Sequence, residues 1–384
     1  AMLLRGTTTR SRQQIQDELD RLRATLRIGG GGEGARATLE VPRQNLEAAL
    51  RLLADALQHP AFDEKELALL AEEQVRSLED VRRDPFEQAF TALQRHMDDY
   101  PLADPRHVET VDEAIAAVRA TKVADLRSFH TDFYGASAAQ LAVVGDFDPA
   151  AVEALAGELF GGWKSAKAFT RVSRPVREGA PLAVALEIPD KESAVFAAGQ
   201  SLRLKDDDPD YPALVLANFM TGGGFLNSRL AVRLRQKDGV SYGVGSQLSA
   251  SPFEPRGDFL AFAIFAPQNA DKAETGLREE LAKVVDGGFT AEEIAAAKSG
   301  WLQQRKVSRS QEAQLASVLA QRQYAGRTLA WDEDLERRVE ALTPEQIAAA
   351  VKRFWSTGQL SFVKAGSFAK PVEAAPAGAA KSGS

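Results

Sequence analysis

Apolar residues recur every three or four positions over most of the chain, a period that predicts a protein built largely from amphipathic helices. Ile15, Leu19, Leu22 and Leu26 mark one over residues 11–26, and Leu46, Leu50, Leu53 and Leu57 another over 43–58, closed by Pro60. A third, over 64–81, buries Leu67, Leu70, Ala71, Val75 and Leu78. The same spacing predicts helices at 85–97, 111–118, 122–133, 149–160, 211–220 and 270–286, then from 291 to about 325, and at 344–355. Alternation or short β-branched runs predict two strands between Thr25 and Val41, bent at Gly29–Gly32, and further strands at 140–147, 183–188, 193–202, 241–250, 256–266 and 359–366. From Lys164 to Gly179 the chain turns polar, carries Pro175 and loses any apolar period, which predicts a linker.

The same grammar appears on both sides of that linker. Strand, turn, strand and helix lead to Phe62-Asp-Glu-Lys-Glu opening a long helix, and again to Phe289-Thr-Ala-Glu-Glu opening another. Thr121-Lys-Val-Ala-Asp-Leu and Thr343-Pro-Glu-Gln-Ile each start a helix with a late aromatic, Phe133 or Trp355, before LAVVGDF and LSFVKAGSF. The expected fold is α+β: two tandem homologous domains, each a mostly antiparallel sheet packed by helices. The expected boundaries are 1–165, a linker at 166–180, and 181–370. Residues 371–384 have too little apolar content to pack and are expected to be a disordered tail.

Composition narrows the class without naming a function. The 384 residues are 44% apolar and 26% charged, as in soluble globular proteins. Net charge is −7 with arginines scattered among acids, so no basic face for nucleic acid is expected. No run approaches the roughly eighteen apolar residues of a membrane span. With no cysteine there are no disulfides and no thiolate zinc sites, though the compartment stays open. The opening AMLLRGT is apolar from the start and lacks the regions of a signal peptide, which predicts a chain cut from a longer one.

Candidate chemistry centres on Gly222–Tyr242. A glycine-rich turn feeds a helix with Asn227 or Ser228 as N-cap and Leu226, Leu230 and Leu234 spaced by four; Gly239 ends it and Tyr242 opens a strand. Arg235 is expected at the edge of the buried face. A guanidinium and a phenol converging there donate hydrogen bonds to carbonyl oxygens and fit a site that grips a peptide backbone or an oxyanion. An arginine this close to a tyrosine is structural in most proteins. On the helix over 64–81, Glu66 and Glu73 are two turns apart on one face, a spacing that suits metal ligation or, more commonly, a solvated acidic surface. Gly29–Gly32 lack the lysine and Ser/Thr of a phosphate cradle and read as a hairpin bend.

Taken in order, MLLRGT with SRQQIQDELDRL, PAFDEKEL, RRDPFEQAF, FHTDFYGASAAQLAVVGDFDP and GGGFLNSRLAVRLRQKDGVSYGV resemble the pitrilysin or insulinase family of zinc metallopeptidases, which includes the mitochondrial processing peptidase. The resemblance runs from about Met2 to Lys370 and is strongest to the C-terminal, non-zinc half of a long member. It implies paired α+β domains, with two such halves closing around an extended peptide. It also implies that Arg235 and Tyr242 hold the substrate backbone, that Glu73 matches the family's glutamate zinc ligand, and that Glu66 matches the acid two turns before it. The family's H-x-x-E-H motif would fall at or before residue 1, and none of His59, His96, His107 and His130 has a second histidine four residues away. No zinc is therefore expected on this chain; it is expected on a zinc-bearing partner half, upstream or separate. The chain alone is expected to be inactive, closing the chamber for the partner. The alternatives are a purely structural subunit of a larger complex, or an active half cut just after its zinc motif.

Overall fold

Side-chain caps fix where most helices begin. In the computed structural model, which describes residues 1–31, 34–177 and 179–368, Ser11 and Thr110 close reciprocal capping boxes with Gln14 and Glu113. Asp63, Asp84 and Asp148 accept from the first free backbone N–H groups of their helices. The first half runs α1 (Arg12–Leu22), β1 (Thr25–Gly31), β2 (Gly34–Glu40), α2 (Leu46–Gln58), α3 (Glu64–Arg82), α4 (Pro85–Met97), α5 (Val111–Ala120), α6 (Val123–Phe133) and α7 (Pro149–Phe160). The second runs β3 (Ala183–Glu187), β4 (Ala194–Leu202), α8 (Tyr211–Asn218), β5 (Ser241–Ala250), β6 (Gly257–Phe265), α9 (Ala270–Gly287), α10 (Ala291–Arg309), α11 (Glu312–Tyr324), α12 (Ala330–Ala341), α13 (Pro344–Phe354) and β7 (Ser361–Gly366). The expected tail at 371–384 and Gly32 of the hairpin bend lie outside the described residues.

β1 and β2 pair antiparallel with each other alone, whereas the second half forms a five-stranded sheet in the order β3-β7-β4-β6-β5. β3 runs parallel to β7 and every other pair is antiparallel. The fold is thus α+β with a mixed, mostly antiparallel sheet. Alternate residues of β4 divide between two covered faces, which is why its sequence, AVFAAGQSL, shows no polar face. Ala194, Phe196 and Ala198 meet α8, α9, α10, α12 and α13 in the main core. Val195 and Ala197 meet Ala89, Leu93 and Met97 of α4, a helix of the first half laid across the back of the second half's sheet. Phe86 and Phe90 complete that contact edge-on against Phe262.

The turn between β5 and β6 ties the halves together a second way. Arg256 donates to Asp98, just past α4, at 2.8 Å. Glu254 takes Arg171 at 2.9 Å and the backbone N–H of Arg174 at 2.8 Å. Residues 164–177 form no helix or strand, yet are held by those bonds and by Arg106 donating to the Ser173 carbonyl at 2.7 Å.

Two expectations are corrected and one helix is added. The predicted helix 11–26 stops at Leu22 because Arg23 turns left-handed (φ 51°); Leu26, still on the four-residue period, lies in β1 and joins the same core. Residues 140–147 form no strand, leaving Leu141 48% exposed. A short apolar run becomes a strand only beside a neighbour that takes its backbone hydrogen bonds, and β1 and β2 offer theirs to each other. α12 was not foreseen, although Trp331, Leu335 and Val339 carry its helical period and the last two are buried.

Candidate peptide-gripping site and acidic pair

The Gly222–Tyr242 stretch is built from two widened helical turns. α8 continues into a π-turn over Phe219–Gly223, where the Gly224 N–H donates to the Phe219 carbonyl at 2.6 Å and the Thr221 hydroxyl to the Ala217 carbonyl at 2.8 Å. A Cβ on Gly222 would fall 2.5 Å from the Ser246 nitrogen, so glycine is what lets this turn lie against β5. The helix that follows starts at Arg229 beside buried Ser228, is π-helical over Ala231–Lys237, and ends at left-handed Gly239 (φ 64°). Such i→i+5 turns occur frequently at functional sites. Leu230 and Leu234 are fully buried, as their spacing predicts, but Leu226 lies in a short 3-10 turn ahead of the helix and is 42% exposed. Arg235, expected at the edge of the buried face, is exposed.

The basic residues of this helix divide into two kinds. Arg229 grips Glu293 with two bonds of 2.8 Å and holds that carboxyl below the usual range. Arg233 spans Asp238 at 2.7 Å and Glu279 at 3.0 Å. Arg235 and Lys237 have no hydrogen-bond or ion-pair partner among the described residues.

Tyr242 sits on the edge strand β5, where the pairing steps from Ser241 opposite Phe265 to Gly243 opposite Ile264. Tyr242 is the extra residue of that bulge and has no cross-strand partner. The Ser241 hydroxyl, 2.8 Å from the Gly243 carbonyl and 2.7 Å from the Ile264 carbonyl, braces it. The Tyr242 side chain is 59% exposed and its hydroxyl has no partner among the described residues. Sequence reading placed both residues on the right elements; the bulge left no signal beyond the glycines around it.

The acidic pair has a different environment. Glu66 and Glu73 share a face of α3, and the Arg5 guanidinium lies across both, 3.2 Å from Glu66 and hydrogen-bonded to Glu73. Arg12 approaches Glu66 at 3.5 Å. Arg5 belongs to MLLRGT, but nothing in the local sequence pattern signals its contact with acids more than sixty positions away.

The histidines are elsewhere. His59 faces Asp55, His107 bonds the Tyr100 carbonyl and Glu113, and His130 bonds the Leu57 carbonyl; His96 lies on α4. Among the described residues the two carboxylates are engaged by a guanidinium with no imidazole alongside, an arrangement that does not fit a zinc site, and no group of three potential ligands converges.

A family model for the M16 peptidase inactive domain matches residues 121–300, and one for insulinase, peptidase family M16, matches residues 1–106. The chain belongs to the insulinase family of peptidases. It resembles the half of such proteins that lacks the zinc motif. An uncharacterized zinc protease of Rickettsia felis is 25% identical over 302 residues, spanning 78% of this chain and 69% of that protein. The M16 inactive domain from Pseudomonas fluorescens superposes with a TM-score of 0.81 at 23% identity, covering 95% of this chain and 86% of its own. The periplasmic protease PqqL from Escherichia coli gives 0.71 at 17% identity, covering 94% of this chain but 39% of its own. At these identities the two structures establish the fold alone. Zinc belongs to the insulinase family by the name of the first relative, while the acidic pair of this chain is held by arginine. Among the described residues no helix is long and apolar enough to cross a membrane.

Proposed function

We propose that this chain is the non-cutting half of an insulinase-type endopeptidase. It closes the chamber of a zinc-bearing half-molecule, upstream in the same protein or separate, and holds an extended peptide with Arg235 and Tyr242. The observation that carries this reading is the pair of unspent donors: a guanidinium without an acid among the described residues and a phenol on a bulge, both exposed, joined through a left-handed glycine. Its neighbours Arg229 and Arg233 are neutralised by acids, whereas the Arg235 guanidinium is left exposed and available to a ligand. Among the described residues β5 is the last strand of its sheet, an edge alongside which an extended polypeptide could lie.

Chemically, Arg235 and the Tyr242 hydroxyl donate to carbonyl oxygens of the bound strand and keep the scissile peptide in register with the partner's metal. The test mixes the chain with its zinc-bearing half and follows kcat/KM on an extended peptide. Tyr242→Phe, which deletes one hydroxyl, is expected to cost roughly tenfold, the equivalent of one hydrogen bond of about 1.4 kcal/mol. A phenylalanine variant as fast as its parent ends the gripping role. Cleavage by the chain alone ends the assignment of the chemistry to the partner.

A further inference from the structure

We infer that Arg5 is the resident cation of the Glu66–Glu73 pair, fastening the Met2–Gly6 segment to α3 at the place that the family resemblance gives to a divalent metal. This goes beyond the peptide-gripping reading and is independent of it.

Three observations converge. The guanidinium reaches both carboxylates with different nitrogens, Nη1 to Glu66 and Nη2 to Glu73, so its fork bridges acids that stand two turns apart on α3. Zinc instead needs ligands converging on one point at about 2 Å and prefers nitrogen among them. The Arg5 side chain is only 9% exposed, against 24% for Glu66 and 47% for Glu73. The segment that carries it is anchored apolarly as well: Met2 and Leu3 are buried with Phe62 and Leu70 of the α3 region.

The unequal burial fixes the sign of the energetics. Arg5→Met removes a buried charge and leaves two carboxylates that water can reach. Glu66 lines, with Arg5 and Arg12, an open cavity of about 630 Å³. Glu66→Gln with Glu73→Gln leaves the guanidinium buried without a counter-charge, which is the costlier fault. A metal-centred pair would behave the other way round, since loss of Arg5 would then free the acids for the ion.

The experiment compares the wild type, Arg5→Met, Glu73→Gln and Glu66→Gln/Glu73→Gln by thermal melting with and without EDTA, and by zinc titration calorimetry. The expected result is a wild-type melt unchanged by EDTA and no zinc binding that depends on Glu73. Arg5→Met should melt about 2 °C or more below the wild type, and the double glutamine variant lower still. If the double variant does not fold, the comparison rests on Arg5→Met and on zinc titration of Glu73→Gln, whose side chain is half-exposed. Stoichiometric zinc on the wild type that vanishes in Glu73→Gln overturns the inference. So does an Arg5→Met variant that melts with its parent, or a double variant more stable than Arg5→Met.

Discussion

Gly239 decides the angle between the helix that carries Arg235 and the strand that carries Tyr242. Its φ of 64° lies in the left-handed region, and a Cβ placed there meets nothing within 4 Å. Gly239→Ala therefore isolates the backbone cost, about 1–2 kcal/mol, with Gly239→Asn milder because asparagine tolerates that conformation better. Urea unfolding of both variants measures it; an alanine variant as stable as the parent shows that the chain end of the helix relaxes out of this conformation. Gly222 is the opposite case, ordinary in backbone but pressed against β5, so Gly222→Ala has to move a strand and is expected to cost more than Gly239→Ala. The left-handed glycine was legible in the sequence as a helix stop. The need for glycine at 222 was not, because the contact it permits, with Ser246, is made twenty-four positions along the chain.

At the scale of elements, helices were legible where they carry their own stop and start signals. α3 begins at Glu64 behind Asp63 and α10 at Ala291 behind Thr290, each nineteen residues long, as the echo of Phe62-Asp and Phe289-Thr implied. What depends on a partner remote in sequence was not legible. QLAVVGDF and LSFVKAGSF read alike, yet only the second has β3 and β4 on either side of it. The apolar stripe of α4 announces burial without saying against what, and it is the sheet of the other half that Ala89, Leu93 and Met97 cover. Leu93 is fully buried and lies over Gly199 of β4. Leu93→Ala is expected to cost about 2–5 kcal/mol, read as a lower urea midpoint at unchanged slope if the two halves unfold together. Two separated transitions in that variant would mean that α4 is the main coupling between them.

For the whole molecule a second coupling is electrostatic and sits on the β5–β6 turn, alongside the Arg36–Ser317 bond between the halves. Arg171 and Ser173 hold the Glu254 carboxyl down to about 2, from an ordinary 4.5, and the Arg174 N–H adds to it. A carboxylate with a depressed folded-state pKa contributes stability that is complete above about pH 4.5 and is lost as pH falls toward 2. Asp258, raised by burial beside Arg256, acts with the opposite sign, so the informative quantity is the gap between variant and wild type at each pH. Glu254→Gln keeps the shape and removes the charge. Its melting temperature is expected below the parent's at pH 7, the gap closing between pH 4.5 and pH 2, with faster proteolytic nicking of residues 164–177 at neutral pH. A gap that stays constant down to pH 2 would place the anchoring in shape and backbone contacts instead. A linker released at neutral pH would leave α4, the Arg256–Asp98 bond and the Arg36–Ser317 bond to hold the two halves in register.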